Sequence, residues 1–428
     1  MAGYRTCKLS SGTNSEPGRY VESLGDPVTG EKERANEEHE AQPFQVTFTA
    51  VEAILRELSG AAAGAEISRD SIIVGSAGYE GETLLGGGDG FGRFSVQIAM
   101  KLGCIPYPLE EVEQLSVKQF CEMYLRDSYP PAPTTPLRPE QYEFGSKVQA
   151  VGTAGDPSEF PICFSLGCAR SGTTLFRVML NAHAGIWAPG ELHLAQFSTM
   201  ADRARGIKPV LRRMPIPEIA ERFSDSIDST SSRFGRWEDD AVPVEEVYRE
   251  LFDADPDRLI VDKTPSYSDS PEILEAIGSQ FTNAKYIYLV RNPVDVIRSL
   301  VKTQLYKGAI EGFPPGMNPY QVSEAIWTAN NANITKFLDG VPNDRQERVY
   351  YEDLVAEPEK TMRRLCEFLG LPYESRMADP YRENSGPIAA GAGDMYVHSF
   401  KRIENREVQP TFYPLGAKCK DLASTLGY

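Results

Sequence analysis

Residues 162–180 read ICFSLGCARSGTTLFRVML, and the fold turns on how that stretch is parsed. ICFSLG is short, apolar and β-rich, Gly167 and Gly172 bound a loop, and from Thr173 the apolar residues recur at helical spacing. Strand, glycine-bounded loop and helix in that order frame a phosphate cradle. Backbone N–H groups at a helix start, with the helix dipole behind them, favour an anion. A Walker A loop carries Lys where this chain has Thr173. Arg170, inside the loop, supplies a fixed cation in its place. The Thr173 and Thr174 hydroxyls can donate to anion oxygens, and Thr suits a helix start. An ordinary glycine turn would need neither the arginine nor the hydroxyls of the ARSGTT core.

Further apolar, β-rich runs follow, RLIVD (258–262), KYIYLV (285–290) and RVYYEDL (348–354), separated by long helical stretches. Buried parallel strands with crossover helices read this way, so the expected fold is α/β, a P-loop parallel sheet flanked by helices. Arg291 stands at the carboxyl end of KYIYLV, and Ser299 lies about two turns into the helix that follows. A strand-end Arg with a helical Ser can grip a second phosphate of the same nucleotide. Asp262 ends LIVD and could hold Mg²⁺ in a nucleoside-triphosphate enzyme. Lys263 follows it at once and the loop has no lysine, so a kinase using ATP and Mg²⁺ stands as the alternative.

Bulk properties bound the rest. The 428 residues are 41% hydrophobic and 10% aromatic, as in ordinary globular proteins. No run approaches the ~18 apolar residues of a membrane span. The polar first 43 residues lack the apolar core of a secretory signal, so a cytoplasmic location is expected. A net charge of −17 argues against nucleic acid as a partner, while local Arg and Lys can still make one cleft positive. Seven scattered cysteines without a CxxC pair suit a reducing compartment, and four separated histidines predict no metal site.

Four segments are expected: a disordered stretch over 1–43, a small helical bundle over 44–127, a Pro-rich linker over 128–157 and the α/β domain over 158–428. In the bundle, FTAVEAILREL places Phe48, Val51, Ile54, Leu55 and Leu58 on one stripe. LLGGGDGFGRFSVQIAMKLG followed by IPYPLEEVEQLSVKQFCEMYL resembles an acyl or peptidyl carrier domain. Carrier families place an Asp-Ser-Leu type motif at the start of the second helix, and that Ser bears the phosphopantetheine arm. Here Asp89, Gly90 and Phe91 match it, so the attachment hydroxyl is missing, and Ser95 lies a full turn later. A degenerate carrier fold used for docking fits both facts.

The chain from about 160 to 428 resembles the P-loop sulfotransferases that use 3′-phosphoadenosine 5′-phosphosulfate (PAPS), in the style of the domains embedded in polyketide and peptide synthases. The carrying motifs, in family order, are GCARSGTT, PGELH, VDKTPSY, YLVRNPVDVIRS and YYEDLVAEPEKTMRRLCEFLGL. The resemblance implies that Arg170, Ser171, Gly172, Thr173 and Thr174 bind the 5′-phosphosulfate. It assigns Arg291 and Ser299 to the 3′-phosphate, Lys263 to charge at the sulfuryl group, and no metal. Glu191 and His193 of WAPGELHLAQF are candidate bases that an extended segment would point to the same side. His398 of GDMYVHSFKRI is the third, ordered after them, and Lys401 and Arg402 beside it could add charge at the 3′-phosphate. The implied activity is sulfuryl transfer to a hydroxyl, on a carrier-bound hydroxyacyl chain or another small-molecule alcohol, with a synthase or carrier protein as partner. A non-catalytic docking subunit of a synthase is the alternative from another class. YKGAIEGFPPGMNPY (306–320) and RENSGPIAAGAGDMY (382–396) are Gly- and Pro-rich segments that could cover a cleft or simply connect.

Overall fold

β1 (Ile162–Leu166) is buried at every residue, as the central strand of a two-sided parallel sheet must be. The computed structural model describes residues 45, 47–58, 67–74, 84–85, 87–102, 104, 109–130, 132–138, 160–207, 209–309, 313–314, 316–381 and 413–428. His398, Lys401, Arg402 and the segment 382–396 lie outside them, as do residues 310–312 and 315 of the other Gly/Pro segment.

β2 (Ile186–Trp187), β3 (Leu259–Asp262), β4 (Lys285–Val290) and β5 (Gln346–Tyr350) complete the sheet in the order β2-β3-β1-β4-β5, all parallel. The registers Phe164↔Asp262 and Phe164↔Tyr286 align the carboxyl ends of β1, β3 and β4. Successive strands leave β1 on one side and then the other, which opens a crevice where the loops after β1 and β4 diverge. Strand alternation sorts the two cores. Ile162, Phe164, Leu166, Tyr286, Tyr288 and Val290 face one, and Cys163, Ile287 and Leu289 the other.

Two sequence expectations change here. β5 stops at Tyr350, and the YEDL of RVYYEDL starts a helix over Tyr351–Ala356, because only the first residues of that run pair with β4. β2 has only two residues, too few to leave a period in sequence.

The helical residues 47–58 bury Phe48, Val51, Ile54 and Leu55 on the expected stripe. They belong with helices α2 (Gly87–Leu102) and α3 (Val117–Ser128), the first, 47–58, being α1. Phe94 meets Phe120 edge-on at 5.4 Å, and Ser116 with Gln119 forms a capping box at the start of α3. Asp89 and Gly90 fall in the first turn of α2, and Ser95 is buried. Thr47–Tyr428 is one compact unit, and α3 is bonded to the α/β body. Gln304 donates to Ser128 Oγ at 2.8 Å, and Lys307 to Asp127 Oδ2 at 2.8 Å. Within the Pro-rich stretch, Leu137 is buried in the larger core. Tyr306, Phe313 and Met317, from the segment read as a cover or connection, are buried there too.

Phe164 holds the centre of that core, with Tyr248, Tyr267, Phe281 and Tyr286 around it at ring distances of 5.1–6.3 Å. Phe164→Ala is expected to lower the unfolding free energy by ~3–5 kcal/mol through lost transfer energy and a cavity. Urea denaturation followed by fluorescence measures it, and a loss below ~1 kcal/mol would mean the site collapses freely.

Candidate active site

The loop after β1 adopts the conformation its glycines foreshadow. Arg170 has φ 69° and Gly172 φ 89°, both left-handed, so the chain curls before entering α4 (Thr173–Asn181). Successive N–H groups of such a curl converge on an anion. Arg170 holds this geometry despite its side chain, a pattern that collects at functional sites. A Cβ on Gly172 would lie 2.2 Å from the Tyr351 ring.

The guanidinium of Arg291 lies 4.1 Å from the centroid of the same ring. Arg291 also donates to the Arg170 carbonyl at 3.1 Å, and Arg170 Nε donates to Ser299 Oγ at 2.9 Å. The two basic motifs, 121 residues apart, therefore form one cluster at the crevice between β1 and β4. Trp327 fixes it from behind, its indole N–H donating to the Arg291 carbonyl at 3.1 Å. The fit to an anionic nucleotide rests on orphaned polar atoms. Ser171 Oγ is fully buried without a hydrogen-bond partner among the described residues, and so is Arg291 Nε. Buried groups of this kind need a partner, and phosphate oxygens would supply one.

A second cluster forms where β3 ends. Lys263 is 0% exposed and donates to Glu191 Oε1 at 2.8 Å. Glu191 Oε2 lies 3.4 Å from His193 Nε2. Burial would raise the Glu191 carboxyl, but Lys263 and His193 outweigh it and hold it from its ordinary 4.5 down to about 2. The sequence reading brought Glu191 and His193 together by the right residues and the wrong geometry. The segment is not extended at His193, whose φ is 50°. Arg203 makes that kink tolerable by donating to the carbonyls of His193 at 3.0 Å and Leu192 at 3.4 Å. On the other ring nitrogen, His193 Nδ1 meets Ser266 Oγ at 3.2 Å.

Asp262 is built for structure. Tyr267 and Tyr248 donate to Oδ2, and Thr264 to Oδ1 at 2.8 Å. With hydroxyls on both oxygens and no exposure, this carboxylate is poorly placed to take up Mg²⁺. Tyr267 in turn accepts the Leu194 and Ala195 amides at 3.2 Å each, fixing the strand exit against the Glu191 loop. Asp269, six residues after Lys263, is pushed by burial and the nearby Glu191 charge, against a bond from Asn330, up to about 7.

Sequence reasoning missed Tyr351, Ser266 and Asp269 as neighbours of these clusters. Tyr351 lies in a β-rich run, RVYYEDL, that gives no sign of its helical place. Ser266 and Asp269 stood inside or just beyond VDKTPSY without a signal of their own.

Comparison with known proteins agrees with the architecture. The sequence model described as the sulfotransferase family matches residues 161–375. The sulfotransferase domain from the curacin biosynthetic pathway is 32% identical with a TM-score of 0.58, covering 63% of this chain and 99% of that one. The domain from the Synechococcus PCC 7002 olefin synthase is 31% identical, also at 0.58, with 64% and 98% covered. Among curated sequences, protein-tyrosine sulfotransferase A of Caenorhabditis elegans is 25% identical, over 51% of this chain and 52% of that protein. Nodulation protein NoeE of Sinorhizobium fredii is 28% identical, over 59% and 61%. The chain thus spans about half to three fifths of the length of these curated relatives. The similarity covers the sheet and its two clusters; the carrier resemblance of the first helices finds no counterpart in it.

Glu191→Gln tests the second cluster. It strands Lys263 in a dry pocket and is expected to cost ~3–5 kcal/mol of stability at neutral pH. A depressed carboxyl contributes stability above its unfolded value, lost as pH falls from about 4.5 towards 2. The variant should therefore show a shallower acid limb in denaturation followed against pH. Parallel acid limbs would refute the pairing.

Proposed function

The chain belongs to the sulfotransferase family, and we propose that it transfers a sulfuryl group from PAPS to an alcohol oxygen. The observation that carries this reading is the pairing of an anion loop with a separate Arg291–Ser299 grip at one crevice, beside a buried Lys263–Glu191 pair. When bound, the nucleotide supplies the sulfuryl group and a leaving adenosine bisphosphate.

The chain's own residues would do the rest. The loop 170–174, with Arg170, Ser171, Gly172, Thr173 and Thr174, binds the 5′ end, and Arg291 with Ser299 the 3′-phosphate. Arg170 reaches Ser299, so it serves both halves of the grip. Lys263 offers fixed positive charge in a water-excluded pocket, where such charge acts most strongly. The acceptor's proton goes to the Glu191–His193 pair. A carboxyl held near 2 is a weak base while bonded to Lys263, and His193 Nε2, 3.4 Å from Glu191 Oε2, is the second seat for the proton.

The acceptor class is a carrier-bound hydroxyacyl chain or a comparable small alcohol. Support comes from the two similar domains, whose names place them in a biosynthetic pathway and an olefin synthase. A synthase or carrier protein would then be the partner. The kinase alternative loses its metal ligand to the three hydroxyls around Asp262.

Calorimetric titration with adenosine 3′,5′-bisphosphate, with and without EDTA, tests the donor. Binding is expected in the micromolar range, about −8 kcal/mol, and independent of metal. Arg291→Ala should weaken it ~10–100-fold by removing a charge-assisted contact. A preference for ATP with Mg²⁺ would overturn the assignment in favour of the kinase.

A further inference from the structure

Glu191 sits in a loop, and loops place catalytic groups well only when something rigid holds them. After it, Arg203 holds the Leu192 and His193 carbonyls. Before it, the holders come from α4, the helix that begins at the anion loop. Asn181, at the end of α4, accepts the Ala188 amide at 2.7 Å and donates back to the Ala188 carbonyl. One helical turn from the anion loop stands Arg177, 2% exposed, which donates to Glu218 Oε1 at 3.4 Å. Glu218 lies on α5 (Ile216–Phe223), and its other oxygen, Oε2, accepts the Gly190 amide in a short bond. That amide belongs to the peptide joining Gly190 to the residue before it, one position ahead of Glu191. The space is closed around the contact: a Cβ on Gly190 would lie 3.0 Å from Glu218 Oε1.

Burying an ion pair rarely adds stability over apolar packing of the same volume. Here one carboxylate oxygen meets the buried arginine and the other a backbone amide of the Glu191 loop. We propose that Glu218, oriented by Arg177, is a positioning residue that sets Glu191 relative to the anion loop. The assignment rests on Glu191 taking part in proton transfer as argued above. It adds that the helix forming the donor site also carries the loop of the acceptor site, so the two are built on one rigid element. Misplacing a reacting group by about 1 Å can cost ~100-fold in rate, which sets the scale of the expected effect.

Two charge-free double variants of the full chain separate this role from bulk stability. Arg177→Met with Glu218→Gln removes the ion pair but keeps a carbonyl oxygen for the Gly190 amide. Arg177→Met with Glu218→Leu removes the pair and the acceptor together. Three measurements are made on each: hydrogen exchange of the peptide covering 188–194, affinity for adenosine 3′,5′-bisphosphate, and turnover of PAPS with 4-nitrophenol as probe acceptor. The Leu variant should exchange faster in that peptide and turn over ~10–100-fold more slowly at unchanged bisphosphate affinity and unchanged KM for PAPS. The Gln variant keeps the Gly190 acceptor but loses the orienting Arg177, so it should fall between wild type and the Leu variant in exchange and turnover. Equal exchange and turnover in the two doubles would overturn the proposal, as would faster exchange with no change in turnover. Should wild type fail to bind the bisphosphate, the donor assignment falls, and with it the positioning of a base. The exchange comparison then still shows whether the Gly190 contact exists. If a double fails to melt cooperatively, Gly190→Ala crowds Glu218 Oε1 and should raise exchange of that peptide and lower turnover; wild-type turnover with raised exchange would overturn the proposal.

Discussion

A lysine sealed from solvent must be neutralised where it lies, and Lys263, 0% exposed, is neutralised by Glu191 at 2.8 Å. Much of the site follows from that one pair. Removing either charge would leave the other in a medium where an unpaired ion costs several kcal/mol. Glu191 must therefore arrive at the end of β3, and it comes from a loop that no strand directs there. Supports surround it accordingly. Arg203 holds the carbonyls on one side, the Glu218 contact holds the amide on the other, and Tyr267 ties Leu194 and Ala195 back to Asp262. The left-handed φ of His193 is tolerated because these contacts over-determine the loop.

The anion cluster is organised on a different principle. Arg291 is held by an aromatic ring and a backbone group, Tyr351 and the Arg170 carbonyl, while Arg170 donates to the Ser299 hydroxyl. The contacts on Arg291 fix direction while sparing charge, since a carbonyl or a ring neutralises a guanidinium far less than a carboxylate does. Asp295 approaches Arg291 only at 4.0 Å. An acidic chain of net charge −17 can thus present a basic crevice, because the sign of a site depends on nearby groups and the sum over the surface matters little inside it. Among the described residues no helix is long and apolar enough to cross a membrane.

The helical region buries Phe48, Val51, Ile54 and Leu55, and its last helix is bonded to the α/β body through Ser128, Asp127, Gln304 and Lys307. Gln304 is fully buried with a left-handed φ of 59°, at the turn that follows the helix Pro293–Lys302 bearing Ser299. The end of α3 therefore braces a strained turn close in sequence to Ser299. Gly90, in the first turn of α2, has no hydroxyl, and Ser95, a turn later, is buried.

Local chemistry made part of this protein legible in the sequence. Gly167, Arg170, Gly172 and Thr173 mark a loop by their local spacing, and ICFSLG and KYIYLV encode strands buried on both faces. Arg291 and Ser299 announced themselves by their distance from a strand end. What the tertiary structure alone decided is who meets whom. Arg170 reaching Ser299, Glu191 meeting Lys263 across 72 residues, and Glu218 capping Gly190 across 28 carry no periodicity. The strand order β2-β3-β1-β4-β5 brings them together, and the two-residue β2 that delivers the Glu191 loop leaves no sequence pattern. Propensity and periodicity act over a few residues. Charge pairing in a dry interior acts through space, and the fold must exist before it can choose partners.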